Sequence, residues 1–193
     1  ARERDAAVKA ALKDDGIYAR SFAGHLLFEP WTVETQQGAF YKVYTPYWKA
    51  VRGRDLPAAR SAPNHIAGPD AWPTSDHIED WQMGAAMNRG ADVVARHVTV
   101  GETAASHRLS AFIAHRVADY KSNRDLPGIN GTSGLSENLT YGEISPLSCW
   151  QAGWRALHDG KNDAETFLKE LVWREFAYHL IYHTPRITDR NWR

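Results

Sequence analysis

The sequence predicts a mainly helical chain, with a short α/β segment ahead of an all-helical half. Three observations predict it. Leu109, Phe112, Ile113, Val117 and Tyr120 fall at i, i+3, i+4 spacing, which is one buried helix face. Residues 162–183 keep an apolar helical period over about six turns. Residues 2–14 form a helical pattern that gives way at Asp15-Gly16 to the alternating IYARSF of residues 17–22, and a helix running straight into a strand is an α/β habit.

The elements follow in order. After the strand expected at 17–22, Leu26 to Phe28 is a short apolar run closed by Glu29-Pro30-Trp31. Residues 41–45 read as extended, and Pro46 suits the first turn of a short helix carrying Tyr47 and Trp48. From 54 to 97 the composition changes: Pro57, Pro63, Pro69 and Pro73 lie among Ala, Ser, Asp and Gly. That stretch reads as a connection between domains, with local helix at residues 80–89. Residues 101–125 then read as one helix, followed by the Pro/Gly turn RDLPGINGTSG. Ser145 is placed to cap a new helix with Pro146 in its first position, and Trp150 and Trp154 stack one turn apart. The expected bounds are 1–53 for the α/β part, 54–97 for the linker and 98–193 for the helical part.

Composition narrows the function. The 193 residues carry 23 basic and 23 acidic side chains, so the whole-chain charge offers no footprint for nucleic acid, and any such surface has to be local. The single cysteine, Cys149, rules out an internal disulfide, fits a reducing compartment and is expected to be buried and inert. No apolar run reaches membrane-spanning length, and the charged start ARERDAAVKAALK has no secretory core. The first residue is not Met, so the chain is expected to begin inside a larger protein.

Three stretches carry chemistry. In ELVWREFAYHL (residues 170–180), with Glu170 as zero, Trp173 falls at about 300°, Arg174 at about 40° and Ala177 at about 340° around the helix. One face thus presents a carboxylate, a flat ring and a guanidinium, while Leu168, Val172, Phe176 and His179 face the other side. A solvated i,i+4 ion pair between Glu170 and Arg174 is the simplest account of the charges. In TSGLSENLTYGEISP (residues 132–146), Thr132, Ser133 and Ser136 surround Gly134 and Leu135. Hydroxyls and backbone N–H groups in such a turn can hold phosphate oxygens, or can simply cap a helix connection. Tyr120 and Arg124 offer a phenol and a guanidinium one turn apart. His179 and His183 are also one turn apart, but no HExxH or cysteine accompanies them, so no metal site is expected.

Taken together and in order, Y-x-x-x-R-D-x-P (120–127), G-T-S-x-L-S-x-x-L-x-x-G-E-I-S-P (131–146) and E-L-x-W-R-E-F-x-x-H-L (170–180) resemble the DNA photolyase and cryptochrome family. Within it they are most like the class I cyclobutane pyrimidine dimer photolyases. GIYARSFAGHLLFEPW and YKVYTPYWKA resemble the end of the family's Rossmann-like α/β antenna domain, and GETAASHRLSAF the opening of its all-α FAD-binding domain. The resemblance implies an internal fragment of a light-dependent lyase in which photoexcited reduced FAD splits pyrimidine dimers in UV-damaged DNA. A blue-light photoreceptor of the cryptochrome type is the alternative.

The resemblance also implies roles. Tyr120, Thr132, Ser133, Gly134, Leu135, Ser136 and Phe167 would bind FAD, with Phe167 standing where many relatives carry Trp. Glu170 would hydrogen-bond the damaged bases and stabilise charge during splitting, and Trp173 would stack on the extruded dimer, the two acting as catalytic residues. Arg124, Arg174 and Ala177 would join them against DNA. Arg20 and Asp189 depart from the residues folate-binding relatives place there, so a second, antenna chromophore has no expected identity. The whole is expected to be a cytoplasmic monomer of bacterial type. Because relatives extend past residue 193, the fragment is expected to be inactive alone and to bind FAD weakly or not at all.

Overall fold

The computed structural model describes residues 2–58 and 60–191. Eight α-helices occur among them: α1 (Arg2–Asp14), α2 (Tyr44–Val51), α3 (Arg89–Ala95), α4 (Glu102–His115), α5 (Tyr120–Asn123), α6 (Ser136–Tyr141), α7 (Pro146–His158) and α8 (Ala164–His183). The described residues contain no strand. The chain divides into two compact units, one of Ala1–Arg52 with Arg174–Arg193, the other of Gly53–Trp173.

In the first unit, α1 ends where the sequence places its end. Gly16 takes φ +75°, its N–H bonds the Lys13 carbonyl at 3.0 Å, and the Ile17 N–H reaches back to the Leu12 carbonyl at 2.8 Å. That doubly bonded finish needs a left-handed residue, which glycine supplies at little cost. The strand expected at 17–22 does not form. Alternation only says which side chains share a face; a strand also needs a neighbouring ladder, and no described segment provides one. Residues 41–43 are irregular and helix begins already at Tyr44, which places Pro46 in the first turn as expected.

The core of this unit is aromatic. Tyr47 lies 5.2 Å from Phe176 and 4.9 Å from His179 between ring centroids, and Phe40 stacks on His183 at 4.9 Å. A carboxylate is buried in it. Glu175 accepts the Leu27 and Phe28 N–H groups at 2.7 and 3.2 Å and is paired with Arg174 at 2.8 Å. Burial nevertheless raises its pKa, opposed by those two N–H groups and by Arg174. His179 accepts the Tyr41 N–H at Nε2 (3.1 Å), which leaves its proton on Nδ1, a buried atom with no hydrogen-bond partner. His183 approaches the Pro30 carbonyl at 3.2 Å through Nε2. Both histidines are thus packing residues, and no group of three or more His, Cys, Asp or Glu suited to a metal occurs among the described residues.

In the second unit, residues 54–97 are largely exposed and carry short 3-10 turns at Ile78–Trp81 and Ala85–Met87. The regular helix there is α3, so the helix expected at 80–89 starts at its far end instead. Gln82 and Asn88 take positive φ (45° and 49°), which interrupts any continuous helix across 80–89. The helix expected over 101–125 is also broken. It leaves helical geometry at Arg116 (φ −129°), makes a 3-10 turn at Val117–Asp119 and resumes as α5. The apolar period survives the break, since Leu109, Phe112, Val117 and Tyr120 are all buried. Burial of that stripe is conserved while the axis turns.

Ser145 caps α7 as expected, its Oγ accepting the Ser148 N–H at 3.0 Å, with Pro146 at the start. Trp150 and Trp154 meet edge to face at 5.9 Å, and Cys149 is buried. Helix α8 begins at Ala164, two residues later than its pattern suggests. It packs closely on α7 because position 153 is glycine: a Cβ there would lie 2.8 Å from the Leu168 side chain and 3.2 Å from Phe167. No helix is long and apolar enough to cross a membrane among the described residues.

Burial of His179, together with the neighbouring His183, holds its pKa down at about 4 from 6.5. Between those values the unfolded chain binds the proton and the folded chain does not, so stability is lost as pH falls through that window. The Glu175 carboxyl, with its raised pKa, takes up a proton first in the folded state and offsets part of the loss. Replacing His179 by Gln, which keeps an acceptor for Tyr41 but does not titrate, should remove about 2 kcal/mol of the stability difference between pH 7 and pH 5. Urea unfolding of both proteins at the two pH values checks this.

Candidate functional site

Within the Gly53–Trp173 unit, α5 lies between the other two motif segments. Tyr120, its first residue, is 6% exposed and meets Phe112 edge to face at 5.3 Å and Phe167 at 6.0 Å. Phe112 and Phe167 are 4.9 Å apart and complete a buried aromatic trio. The Lys121 N–H donates to Asp163 Oδ2 at 3.1 Å, just ahead of α8. At the other end of α5, the chain at Gly131 passes so close that a Cβ would lie 2.6 Å from the Asn123 carbonyl oxygen. One short helix therefore fixes where both the 132–136 loop and the first half of α8 lie.

Arg124 follows α5 and forms an ion pair with Glu170 on α8. Its guanidinium lies over the Tyr120 ring at 5.7 Å and also reaches Asp125 at 3.3 Å. The Glu170 hydrogen bond raises the Arg124 pKa still further, so this cation is permanent. Burial pushes the Tyr120 phenol upward as well, with Arg124 opposing it, and the hydroxyl stays protonated at neutral pH. Both members of the ion pair are partly exposed, so the pair itself contributes on the order of 1 kcal/mol or less to stability and can exchange partners. Trp173, one turn beyond Glu170, is 46% exposed, an unusual setting for so large an apolar ring.

The 132–136 loop is anchored by Leu135, which is 1% exposed, while Thr132 and Ser136 are exposed and Ser133 is half-buried. Gly134 has φ +62°, and its carbonyl accepts Arg108 Nη1 at 2.8 Å. A dinucleotide's phosphates ask for hydroxyl and N–H donors without a competing carboxylate. The loop supplies three hydroxyls, and its neighbouring acid, Glu137, is already engaged by Arg108 at 2.5 Å. The donor set fits FAD phosphates. Phe167 and Tyr120 are both buried in the aromatic trio.

Within the other unit, Arg174 Nη1 donates to Glu175 at 2.8 Å, its Nη2 lies 3.1 Å from His25 Nε2, and its guanidinium sits over Tyr178 at 5.1 Å. Ala177 is exposed. The simple i,i+4 pair of Glu170 with Arg174 is thus replaced by two separate pairs, Glu170 with Arg124 and Arg174 with Glu175. Sequence reasoning missed Glu175, His25, Arg108 and Asn138. Glu175 had a readable signal: it falls in the stripe Leu168, Leu171, Val172, Phe176, where a lone carboxylate implies a buried anchor. For Arg108 and Asn138 no local pattern existed, because they meet only through the fold.

The contact at Gly131 involves backbone, which cannot move aside as a side-chain tip can. Gly131→Ala should lower stability by about 2–3 kcal/mol and loosen the 132–136 loop. Thermal unfolding and amide exchange check it; an unchanged midpoint would contradict the close approach.

Comparison with known proteins bears on these segments directly. The family model described as DNA photolyase matches residues 1–64. A deoxyribodipyrimidine photo-lyase of Agrobacterium fabrum is 40% identical over 190 residues, covering 97% of this chain and 40% of that protein. One from Synechococcus is 33% identical over 201 residues, covering 100% of this chain and 41% of the relative. A solved structure described as a bacterial class III photolyase from Agrobacterium tumefaciens superposes with a TM-score of 0.87 at 39% identity, covering 99% of this chain and 40% of that one. The subclass in that description, class III, stands beside the class I likeness of the motifs. The chain spans about 40% of the length of these relatives. Along nearly its whole length this chain is similar to proteins of the DNA photolyase family.

Proposed function

We propose that the chain contributes the cofactor loop and part of the DNA-facing surface of a light-dependent repair enzyme that acts on pyrimidine dimers. The observation that carries this reading is the Arg124–Glu170 pair set beside the exposed Trp173 ring, in the same unit as the 132–136 loop. A cation, a carboxylate and a flat apolar ring are the three groups an extruded, damaged dinucleotide needs: one for its phosphate, one for base N–H groups, one for stacking. When bound, reduced FAD supplies the light-excited electron that opens the dimer.

The protein's own part is positional. Thr132, Ser133, Ser136 and the Leu135 N–H would hold the cofactor's phosphates, with Tyr120 and Phe167 forming the wall behind. Arg124 is permanently charged and would trade Glu170 for a DNA phosphate. Glu170, released by that trade, would accept from the damaged bases and meet the charge that develops on them. Trp173 would cover the lesion and exclude water. Arg174 and Ala177 are proposed to contact DNA further along α8, where Arg174 would leave His25 while Glu175 keeps its backbone partners. The lesion must leave the base stack for any of this to happen. The names of the relatives favour repair over signalling.

Anisotropy titrations with UV-irradiated and unirradiated oligothymidine test the reading. Trp173→Ala should weaken binding to the irradiated strand by roughly 10-fold or more, with little effect on the unirradiated one, the size expected for one lost stacking partner. Glu170→Gln should lower dimer loss under blue light by roughly 10-fold in FAD-loaded protein. Equal affinity for the two strands would sink the repair reading, and flavin binding without dimer loss would turn it toward a sensor.

A further inference from the structure

Arg108 lies on α4, outside all three motif segments. Its Nη1 nevertheless donates to three acceptors: the Gly134 carbonyl at 2.8 Å, Glu137 Oε1 at 2.5 Å and Asn138 Oδ1 at 2.8 Å. Two hydrogens serve three oxygens, so one bond is shared, and the guanidinium is fixed in rotation. Asn138 is fully buried and passes the arrangement on, its Nδ2 donating to Glu143 Oε2 at 2.6 Å. Glu143 Oε1 in turn accepts the Gly101 N–H at 2.8 Å, immediately before α4. The circuit leaves α4, crosses the loop and α6, and returns to the start of α4. Each member is satisfied by the next, and a fully connected polar network of this kind is rigid.

The circuit determines which way the loop's donors point. In a trans peptide, the C=O of one residue and the N–H of the next point in opposite directions. Arg108 draws the Gly134 carbonyl toward α4, so the Leu135 N–H is turned away from α4. Gly134 itself takes the left-handed conformation (φ +62°), so the chain turns sharply between Ser133 and Leu135. Arg108 is itself unsuited to hold the phosphate, because its charge is met by Glu137 and it has a second carboxylate, Glu143, one residue away through Asn138.

We infer that Arg108 is a positioning residue for the cofactor loop: it presets the Gly134–Leu135 peptide so that the loop's N–H and hydroxyl donors face a phosphate-bearing ligand before that ligand arrives. The assignment rests on the cofactor reading above for the identity of the ligand, but not for the state of the loop. Preorganisation of this kind acts on affinity, because the ordering cost is removed before binding.

Hydrogen–deuterium exchange of the 193-residue chain tests the loop directly. Arg108→Gln should speed exchange of the amides of residues 134–138 by roughly 10-fold, while the amides of α8 from residues 167 to 172 keep their wild-type rates. Arg108→Lys retains a cation that can reach one or two of the acceptors, and should fall between the two. Unchanged loop exchange in the Gln variant overturns the inference, and so does an equal acceleration throughout α7 and α8, which would mark a merely structural residue. Fluorescence titrations with FAD and with riboflavin, which lacks the phosphates, test the link to the ligand. The Gln variant should bind FAD roughly 10-fold more weakly than wild type and riboflavin equally well. Equal FAD affinity in a chain with a loosened loop overturns the positioning role. If wild type takes up neither flavin, as expected of a chain that spans about 40% of its relatives' length, the exchange rates alone decide whether Arg108 sets the loop.

Discussion

A backbone-to-backbone approach organises the helical unit. The chain at Gly131 runs against the Asn123 carbonyl with no room for a side chain. This lets a four-residue helix serve as the seat for three segments far apart in sequence. Tyr120 at one end of that helix reaches Phe167, Arg124 just past its other end reaches Glu170, and the loop after Gly131 is held alongside. None of these contacts is strong by itself. An exposed ion pair and a few aromatic edges contribute about a kilocalorie per mole each. Their value is geometric: they hold one rigid seat, and the chemistry-bearing groups inherit its position.

The other unit solves a similar problem with a charge. Glu175 is buried, and its two oxygens meet two backbone N–H groups and a guanidinium. Taking a carboxylate out of water is costly unless it is fully partnered, and here the partners come from an irregular segment that has no ladder of its own to satisfy it. The carboxylate thereby substitutes for secondary structure at residues 27 and 28. The same partnership immobilises Arg174, so its guanidinium is presented in one orientation instead of many.

Much of this was legible in the chain. The stripe from Leu109 to Tyr120 named its buried face correctly even though the helix breaks at Arg116, because burial selects side chains and tolerates a change of axis. The Ser145-Pro146 start and the Asp15-Gly16 finish were readable because caps are local chemistry. Residues 17–22 were misread for the complementary reason: a strand is a relation between segments, and alternation describes only one of them. The same holds at the site. The 120–124, 132–136 and 170–173 groups stood out as motifs, but that Arg124 would meet Glu170 across the 45 positions between them was written nowhere in either motif. Arg108 and Asn138 were invisible, since a guanidinium on a helix and an amide inside another look like ordinary surface until the fold joins them.

The amide of Asn138 has one further consequence. It is directional: its oxygen faces a cation and its nitrogen faces an anion. Aspartate would set a negative charge against Glu143, leucine would strand both neighbours, and even the isosteric reversal of the amide would oppose both dipoles. Positions 108, 138 and 143 should therefore change together or not at all over the lineage's history. Drift at one of them would be tolerated only after a compensating exchange at another, so the trio behaves as a single heritable character.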